Sequence, residues 1–171
     1  MKHFFLTIAC FCLAAMAGYA QKQTSPDGKV ELAFRLDAQG RPVYSLKMDG
    51  KTIIADSYLG LQLKEENPEK ATDFEYSQFA AKQEIARRAD MQTGFSIAKV
   101  KTSAFDETWV PVWGEETEIR NHYNEMLVTL DQKKNDRQIA VRFRVFNDGL
   151  GFRYEFPSQK NLTYFIIKEE K

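Results

Sequence analysis

Apolar and polar residues alternate along much of the chain with the two-residue period of half-buried β-strands. The clearest early run places Val30, Leu32, Phe34 and Leu36 on one side of a predicted strand. Shorter alternating runs follow at residues 59–63, 95–100 and 126–130. We therefore expect strands over most of the chain that follows residue 20.

A first hairpin is predicted around Asp49-Gly50, a dipeptide that favours two-residue turns between antiparallel strands. An unbroken register across this turn pairs Leu46 with Ile53 and Tyr44 with Ala55. Both pairs place apolar side chains on the same face of the predicted sheet.

A second hairpin is predicted near the end of the chain. Ile139, Val141, Phe143 and Val145 form its first apolar set, and Leu150, Phe152, Tyr154 and Phe156 form its second. An Asp148-Gly149 turn pairs Val145 with Phe152 and Phe143 with Tyr154, so that both sets share a face; a four-residue loop also does so. A three-residue loop would place Arg144 opposite Phe152 and separate the two faces.

Two segments fit this pattern less well. Residues 64–90 contain a polar break and a potential short helix at 79–89, and we interpret them as an insertion or irregular connection. Residues 162–167 are apolar on both faces, which predicts a last strand buried on both sides. Because only Lys168-Glu169-Glu170-Lys171 follow, we expect further sequence beyond this point. Several strands and no convincing long helix predict an all-β sandwich.

Residues 1–20 have the features of a cleaved signal peptide: Lys2, an apolar stretch and the small-x-small site Gly18-Tyr19-Ala20. A lipoprotein anchor at Cys10 or Cys12 is a weaker alternative. Cleavage predicts a periplasmic or secreted protein whose domain covers residues 21–171. It also removes both cysteines and His3, which leaves no disulfide and only His122 for any histidine chemistry.

Charge and composition exclude some partners. The chain carries 24 Lys+Arg and 24 Asp+Glu, so its formal net charge is zero. This balance offers no general attraction to nucleic acid or to an anionic membrane surface. We expect neither as a partner after signal cleavage.

The candidate chemistry lies between residues 105 and 125. Flat aromatic rings stack on sugar rings, while amide, guanidinium and carboxylate groups bond sugar hydroxyls. The alternative is that both tryptophans cap the sandwich or pack against another domain. The candidate substrate-facing or domain-facing residues are Trp109, Trp113, Arg120, Asn121, Tyr123, Asn124 and Glu125.

No catalytic or metal site is predicted within the chain. Six carboxylates between residues 106 and 125 have no spacing that selects a glycosidase pair, and we interpret most as solvated loop charges. No EF-hand spacing and no G-x-S-x-G motif occurs. Arg142, Arg144 and Arg153 are interpreted as a solvated strand face.

Several segments resemble the N-terminal domain of glycoside hydrolase family 97, and within it the α-glucosidases of starch utilisation. They are TSPDGKVELAFRLD, SYLGLQL, DETWVPVWGEETEIRNHYNEM, NDRQIAVRFRVFNDGLGFRYEFP and YFIIKEEK. The segment 67–104 carries little of the resemblance.

The resemblance implies a galactose-mutarotase-like β-super-sandwich that precedes a (β/α)₈ barrel and a small C-terminal β domain. It also implies hydrolysis of α-glycosidic bonds, a calcium ion at the active site and an α-glucan oligosaccharide as substrate. A barrel needs about 250 residues, so the family's catalytic carboxylates and calcium ligands map outside this chain. The chain alone is therefore expected to be inactive.

Three functional hypotheses remain. The first is the N-terminal domain of an exported α-glucosidase-like hydrolase, with an α-galactosidase branch of retaining stereochemistry as its variant. The second is a glycan-binding module that uses Trp109, Trp113 and Tyr123 without cleaving the sugar. The third is a structural domain that only docks the barrel of the same polypeptide.

Overall fold

The computed structural model describes residues 20–64, 87–162 and 164–171, and its regular structure is almost entirely β. The expected signal segment and the expected irregular connection fall largely outside these residues. The strands are β1 (Gln21–Thr24), β2 (Val30–Leu36), β3 (Pro42–Met48), β4 (Lys51–Tyr58), β5 (Leu61–Leu63), β6 (Asp90–Met91), β7 (Ser96–Trp109), β8 (Ile119–Gln132), β9 (Arg137–Phe146), β10 (Gly149–Glu155) and β11 (Ile167–Glu170). A 3₁₀ turn, Lys133–Asn135, joins β8 to β9.

The described strands form three antiparallel sheets, as an all-β sandwich requires. The first sheet has the order β1-β2-β3-β4, and the second has the order β10-β9-β8-β7. The third is a small sheet in the order β11-β5-β6. Neighbouring strands of the first two sheets follow one another in sequence, because short turns connect antiparallel strands directly.

The core lies between the first two sheets. The rings of Phe34 on β2 and Phe143 on β9 are 5.7 Å apart, and both side chains are fully buried. Burying an aromatic side chain of this size stabilises the fold by about 1.5–3 kcal/mol. The third sheet contributes Leu61, Leu63 and Met91 to the same apolar cluster. The alternating residues of β2 and β9 therefore pack as their sequence predicts.

The predicted Asp49-Gly50 turn is confirmed, whereas the strand register predicted beyond it is wrong. Both residues have positive φ, 48° and 76°, and Met48 pairs with Lys51. Further along, irregularities in the ladder pair Leu46 with Ile54, and Tyr44 pairs with Ser57 rather than Ala55. A one-residue shift exchanges the two faces of a strand. Ile53 is therefore 59% exposed, while Ile54 packs against the core.

The second hairpin keeps the predicted faces but not the predicted turn. Its turn residues are Asn147 and Asp148, and Phe146 pairs with Gly149. Phe143 therefore lies opposite Phe152, and Val145 lies opposite Leu150. Gly149 is not among the positive-φ glycines of the described chain, so it serves as the first residue of β10 and not as part of a primed turn.

The end of the chain also differs from the prediction. β11 begins only at Ile167, continues into the charged residues and pairs with β5. Leu162 is buried and Phe165 packs against Phe156, with ring centroids 4.7 Å apart. Tyr164 is 84% exposed, so the apolar residues of this segment are not buried on both sides of one strand.

Candidate functional site

The candidate residues lie on a long hairpin formed by β7 and β8. These two strands pair from Ser96 and Asp131 out to Trp109 and Ile119. In the described structure, the pairing of β8 with β9 begins only at Asn124. Residues 105–109 and 119–123 therefore form a two-stranded ribbon beyond the sheet. We call this ribbon, together with its connecting loop 110–118, the arm.

Apolar side chains are exposed at the tip of the arm. The exposed fraction is 48% for Trp109, 71% for Val110, 99% for Val112 and 88% for Trp113. Ile119, the strand partner of Trp109, is 36% exposed. Large apolar side chains that cluster on a surface mark a binding or interaction site, so the tip is the leading candidate for contact with another molecule or domain.

One face of the arm carries a charged cluster. Arg120 donates two hydrogen bonds to the carboxylate of Asp106, with Nε–Oδ1 and Nη2–Oδ2 distances of 2.8 and 2.7 Å. This bidentate contact lowers the pKa of Asp106. His122 faces Asp106 across the ladder, with its Nε2 atom 3.9 Å from Oδ2. Asp106 thus lies on a strand and is paired, while its side chain remains 50% exposed.

The root of the arm is packed tightly. Tyr123 is only 5% exposed, because its ring stacks on Phe105 of β7 at a centroid distance of 5.1 Å. The guanidinium of Arg144 lies 4.5 Å from the centroid of the same ring. Tyr123 therefore has no open face for a sugar in this structure.

Glu125 is also enclosed at the root. Its carboxylate accepts hydrogen bonds from Arg142 and Arg144 of β9, and its side chain is largely buried. Arg142 also bonds Glu155 of β10, and Arg153 joins the same carboxylate. The expectation of a solvated strand face holds for Arg153 and Arg144, whose side chains are 62% and 39% exposed. It does not include the pairing of all three arginines with carboxylates. The signal that sequence reasoning missed is the cross-strand position of Arg144 opposite Glu125.

The chain matches the family model described as Glycosyl-hydrolase 97 N-terminal over residues 24–171. It belongs to glycoside hydrolase family 97. The resemblance noted from the sequence is thereby confirmed, and with it the sandwich expected for a family 97 N-terminal domain.

Solved family 97 enzymes share this fold. The chain is similar to an enzyme of the family from Pseudoalteromonas sp. strain K8, solved in complex with panose and with acarbose. Each comparison has 29% sequence identity, a TM-score of 0.70 and 88% coverage of this chain. A β-arabinopyranosidase shares the fold at 21% identity and a TM-score of 0.68. This family 97 chain spans only 19% of the Pseudoalteromonas enzyme and 20% of the β-arabinopyranosidase.

The seven candidate residues of this family 97 domain fall into two groups. Trp109 and Trp113 lie at the exposed tip, with Arg120 beside them in its ion pair and Asn121 half-buried on the ribbon. The rest lie at the root: Tyr123 within the aromatic stack, Asn124 as a donor to the carbonyl of Thr24 at 2.9 Å, and Glu125 between arginines. Sequence spacing alone did not distinguish the groups.

The described residues do not fit a calcium ion. In the ranges 20–64, 87–162 and 164–171, no three His, Cys, Asp or Glu side chains are grouped so that they could hold a metal. The carboxylates of Asp106 and Glu125 are instead directed at guanidinium groups. Within the same described ranges, no helix is long and apolar enough to cross a membrane.

Proposed function

We propose that this chain is the N-terminal domain of an exported α-glucosidase-like hydrolase that acts on starch-derived oligosaccharides. The observation that carries the proposal is the family match over residues 24–171. It is supported by the oligosaccharide complexes of the Pseudoalteromonas enzyme. The α-glucan specificity follows from the resemblance of the sequence to starch-utilisation α-glucosidases.

In this proposal the catalytic groups belong to the part of the enzyme outside this chain. Glycoside hydrolysis needs two carboxyl groups on opposite sides of the scissile bond, one of them protonated. Asp106 is unsuited to the acid role, because its bidentate contact with Arg120 favours the ionised form. Calcium, if the whole enzyme uses it, is likewise bound by residues elsewhere.

The arm is proposed to dock against the catalytic part of the same polypeptide. Val110 and Val112 are exposed beside the two tryptophans. Aliphatic side chains have no flat ring for sugar stacking, whereas they are common where two protein surfaces pack together. This composition favours docking at the tip. A glycan-binding role remains the second candidate, because the exposed rings lie next to the polar Asp106–Arg120 pair.

Enzymatic assays of two proteins test the proposal: this chain, and a longer product of the same gene that includes the expected barrel. Glucose release from maltooligosaccharides is expected only from the longer protein, and a calcium chelator should abolish it. No glucose release, or release from this chain alone, would contradict the proposal. Galactose release from α-galactosides would assign the enzyme to the other branch.

Tryptophan fluorescence distinguishes docking from glycan binding. The two tryptophans of the chain both lie at the tip, so their emission reports on this surface alone. Docking predicts unchanged emission when maltooligosaccharides are added to this chain. A saturable change with the isolated chain would instead support the glycan-binding role.

Export is proposed from residues 1–20. N-terminal sequencing of the protein recovered from the periplasm or medium is expected to begin at Gln21. Retention of the full leader in the cytoplasmic fraction would contradict this part of the proposal.

A further inference from the structure

A continuous set of contacts crosses the outer face of the second sheet and ends at the root of the arm. Its centre is the carboxylate of Glu125 on β8, which accepts hydrogen bonds from Arg142 and Arg144. The Arg144 Nε–Glu125 Oε2 distance is 3.1 Å. Because Glu125 is largely buried, water screens these contacts much less than it screens exposed ion pairs.

The contacts continue from Glu125 into the arm. Arg144 lies over the ring of Tyr123, which stacks on Phe105 at an interplanar angle of 20°. The ring of Phe146, the last residue of β9, lies 5.2 Å from the same tyrosine. Tyr123 of β8 therefore contacts β9 through Arg144 and Phe146 and contacts β7 through Phe105. These contacts lie at the point where the ribbon leaves the sheet.

The other end of the set is anchored in the sheet. Arg142 donates to both oxygens of Glu155 on β10, at 2.5 and 3.0 Å. Arg153 donates to the same carboxylate. Bidentate arginine–carboxylate contacts fix orientation as well as distance, so the guanidinium that contacts Glu125 is itself held in place.

The arm needs such support for a physical reason. A two-stranded ribbon on its own is at best marginally stable in water. Here the pairing of β8 with its other neighbour, β9, ends at Asn124. Small rotations at the root would become large displacements at Trp113. Backbone hydrogen bonds between β7 and β8 hold the two strands together, but they do not set the angle between the ribbon and the sheet.

We infer that Glu125 and Tyr123 are positioning residues that fix the direction in which the arm projects, acting through Arg142 and Arg144. Glu125 clamps β8 to β9, and Tyr123 transmits this constraint to β7 through Phe105. The direction of the arm is a property of this chain alone and does not depend on the substrate or the catalytic part proposed above.

Distance measurements between spin labels test the inference. Cys10 and Cys12 are replaced by serine, and Val112→Cys at the tip and Lys51→Cys at the first hairpin carry the labels. The reference chain should give a narrow distribution of label separations. Glu125→Met and Tyr123→Leu should each broaden it at least about twofold, because the arm then samples several directions.

Two matched controls separate positioning from general destabilisation. Glu31→Gln alters a carboxylate that pairs with Lys22 on the first sheet, outside this set of contacts, so the distribution should remain narrow. Tyr123→Phe retains the ring and should behave as the reference chain does. Glu125→Gln, which keeps a neutral acceptor, is measured as well in case Glu125→Met does not fold.

The inference is overturned by any of three results. The first is a broad distribution in the reference chain. The second is a narrow distribution in folded Tyr123→Leu together with either Glu125 variant. The third is equal broadening in Glu31→Gln, which would show a general loosening of the sandwich. Circular dichroism and denaturant midpoints identify which variants are folded.

Discussion

The backbone N–H of Gly60 donates a hydrogen bond of 2.9 Å to the hydroxyl oxygen of Tyr154. This contact joins β10 of the second sheet to the residue just before β5 of the third sheet. Gly60 is buried, so the hydroxyl satisfies a backbone donor that water does not reach. The third sheet is thus tied to the sandwich by a polar contact as well as by its apolar residues.

Replacing Tyr154 with phenylalanine should destabilise the fold by about 1–3 kcal/mol, because a buried N–H group loses its acceptor. Denaturant unfolding measures the loss. Tyr164→Phe is the control: this tyrosine is 84% exposed, and its replacement should change stability by less than about 0.5 kcal/mol. Equal effects of the two substitutions would show that the Gly60 contact contributes nothing.

The same tyrosine predicts a loss of stability in alkali. Burial raises the pKa of Tyr154 to about 12, whereas an unfolded tyrosine has a pKa near 10. The folded state therefore disfavours the phenolate. This contribution is complete below pH 10 and is lost as the pH rises towards 12, by on the order of 2 kcal/mol. The stability difference between the reference chain and Tyr154→Phe should shrink over that interval, and a constant difference would contradict the prediction.

Gly40 should not tolerate a side chain. Its φ is 69°, and an added Cβ would lie 2.7 Å from the backbone N and O atoms of Phe95. Gly40→Ala should cost about 1–2 kcal/mol for the backbone conformation and about 1–3 kcal/mol more for the collision. Gly28 has a φ of 76° but open space around its Cβ position, so Gly28→Ala should show the conformational cost alone. Matching melting temperatures would disprove the collision.

Glu155 predicts a loss of stability in acid. Hydrogen bonds from Arg142, with smaller contributions from Arg153, lower the pKa of Glu155 to about 2. The folded state thus favours the carboxylate. This stability is complete above pH 4.5 and is lost as the pH falls towards 2, by on the order of 1–2 kcal/mol after solvent screening. Unfolding of the reference chain and of Glu155→Gln between pH 2 and 6 checks this, and parallel pH profiles would refute it.

Truncation of two aromatic residues should have very different effects on stability. Phe143 is fully buried, and Phe143→Ala should cost about 3–5 kcal/mol. Trp113 is 88% exposed, so Trp113→Ala should change the stability of this chain by less than about 0.5 kcal/mol. In the longer enzyme, the same tryptophan replacement should lower the thermal midpoint if the tip docks there. A large loss in the isolated chain would show that the tip already packs on the sandwich.

Alternation alone predicted the faces of the strands. Three alternating residues of β2 and four of β9 are fully buried, as the apolar pattern of each segment requires: Val30, Leu32, Phe34, Ile139, Val141, Phe143 and Val145. The Asp49-Gly50 turn was equally readable, because few other dipeptides accept two consecutive positive φ angles. These features depend on neighbours in the sequence, so no tertiary information was needed.

Register was less predictable, for reasons that differ between the two hairpins. At Asn147 and Asp148 the observed pairing differs from the predicted one by two residues, which leaves the apolar faces unchanged. The hydrophobic pattern is therefore equally compatible with the predicted and the observed register. In β4 a local irregularity turns Ile53 outward, and a bulge of this kind leaves no clear mark in the hydrophobic pattern.

The sequence by itself determined the all-β character, the family and the stretch that carries the candidate chemistry. Only the tertiary structure decided how that stretch is divided, with Trp113 exposed at the tip and Tyr123 and Glu125 enclosed at the root. The reason is that exposure depends on where β9 stops pairing with β8, and on which arginines of β9 lie opposite. Those are contacts between residues about 20 positions apart, and local periodicity does not encode them.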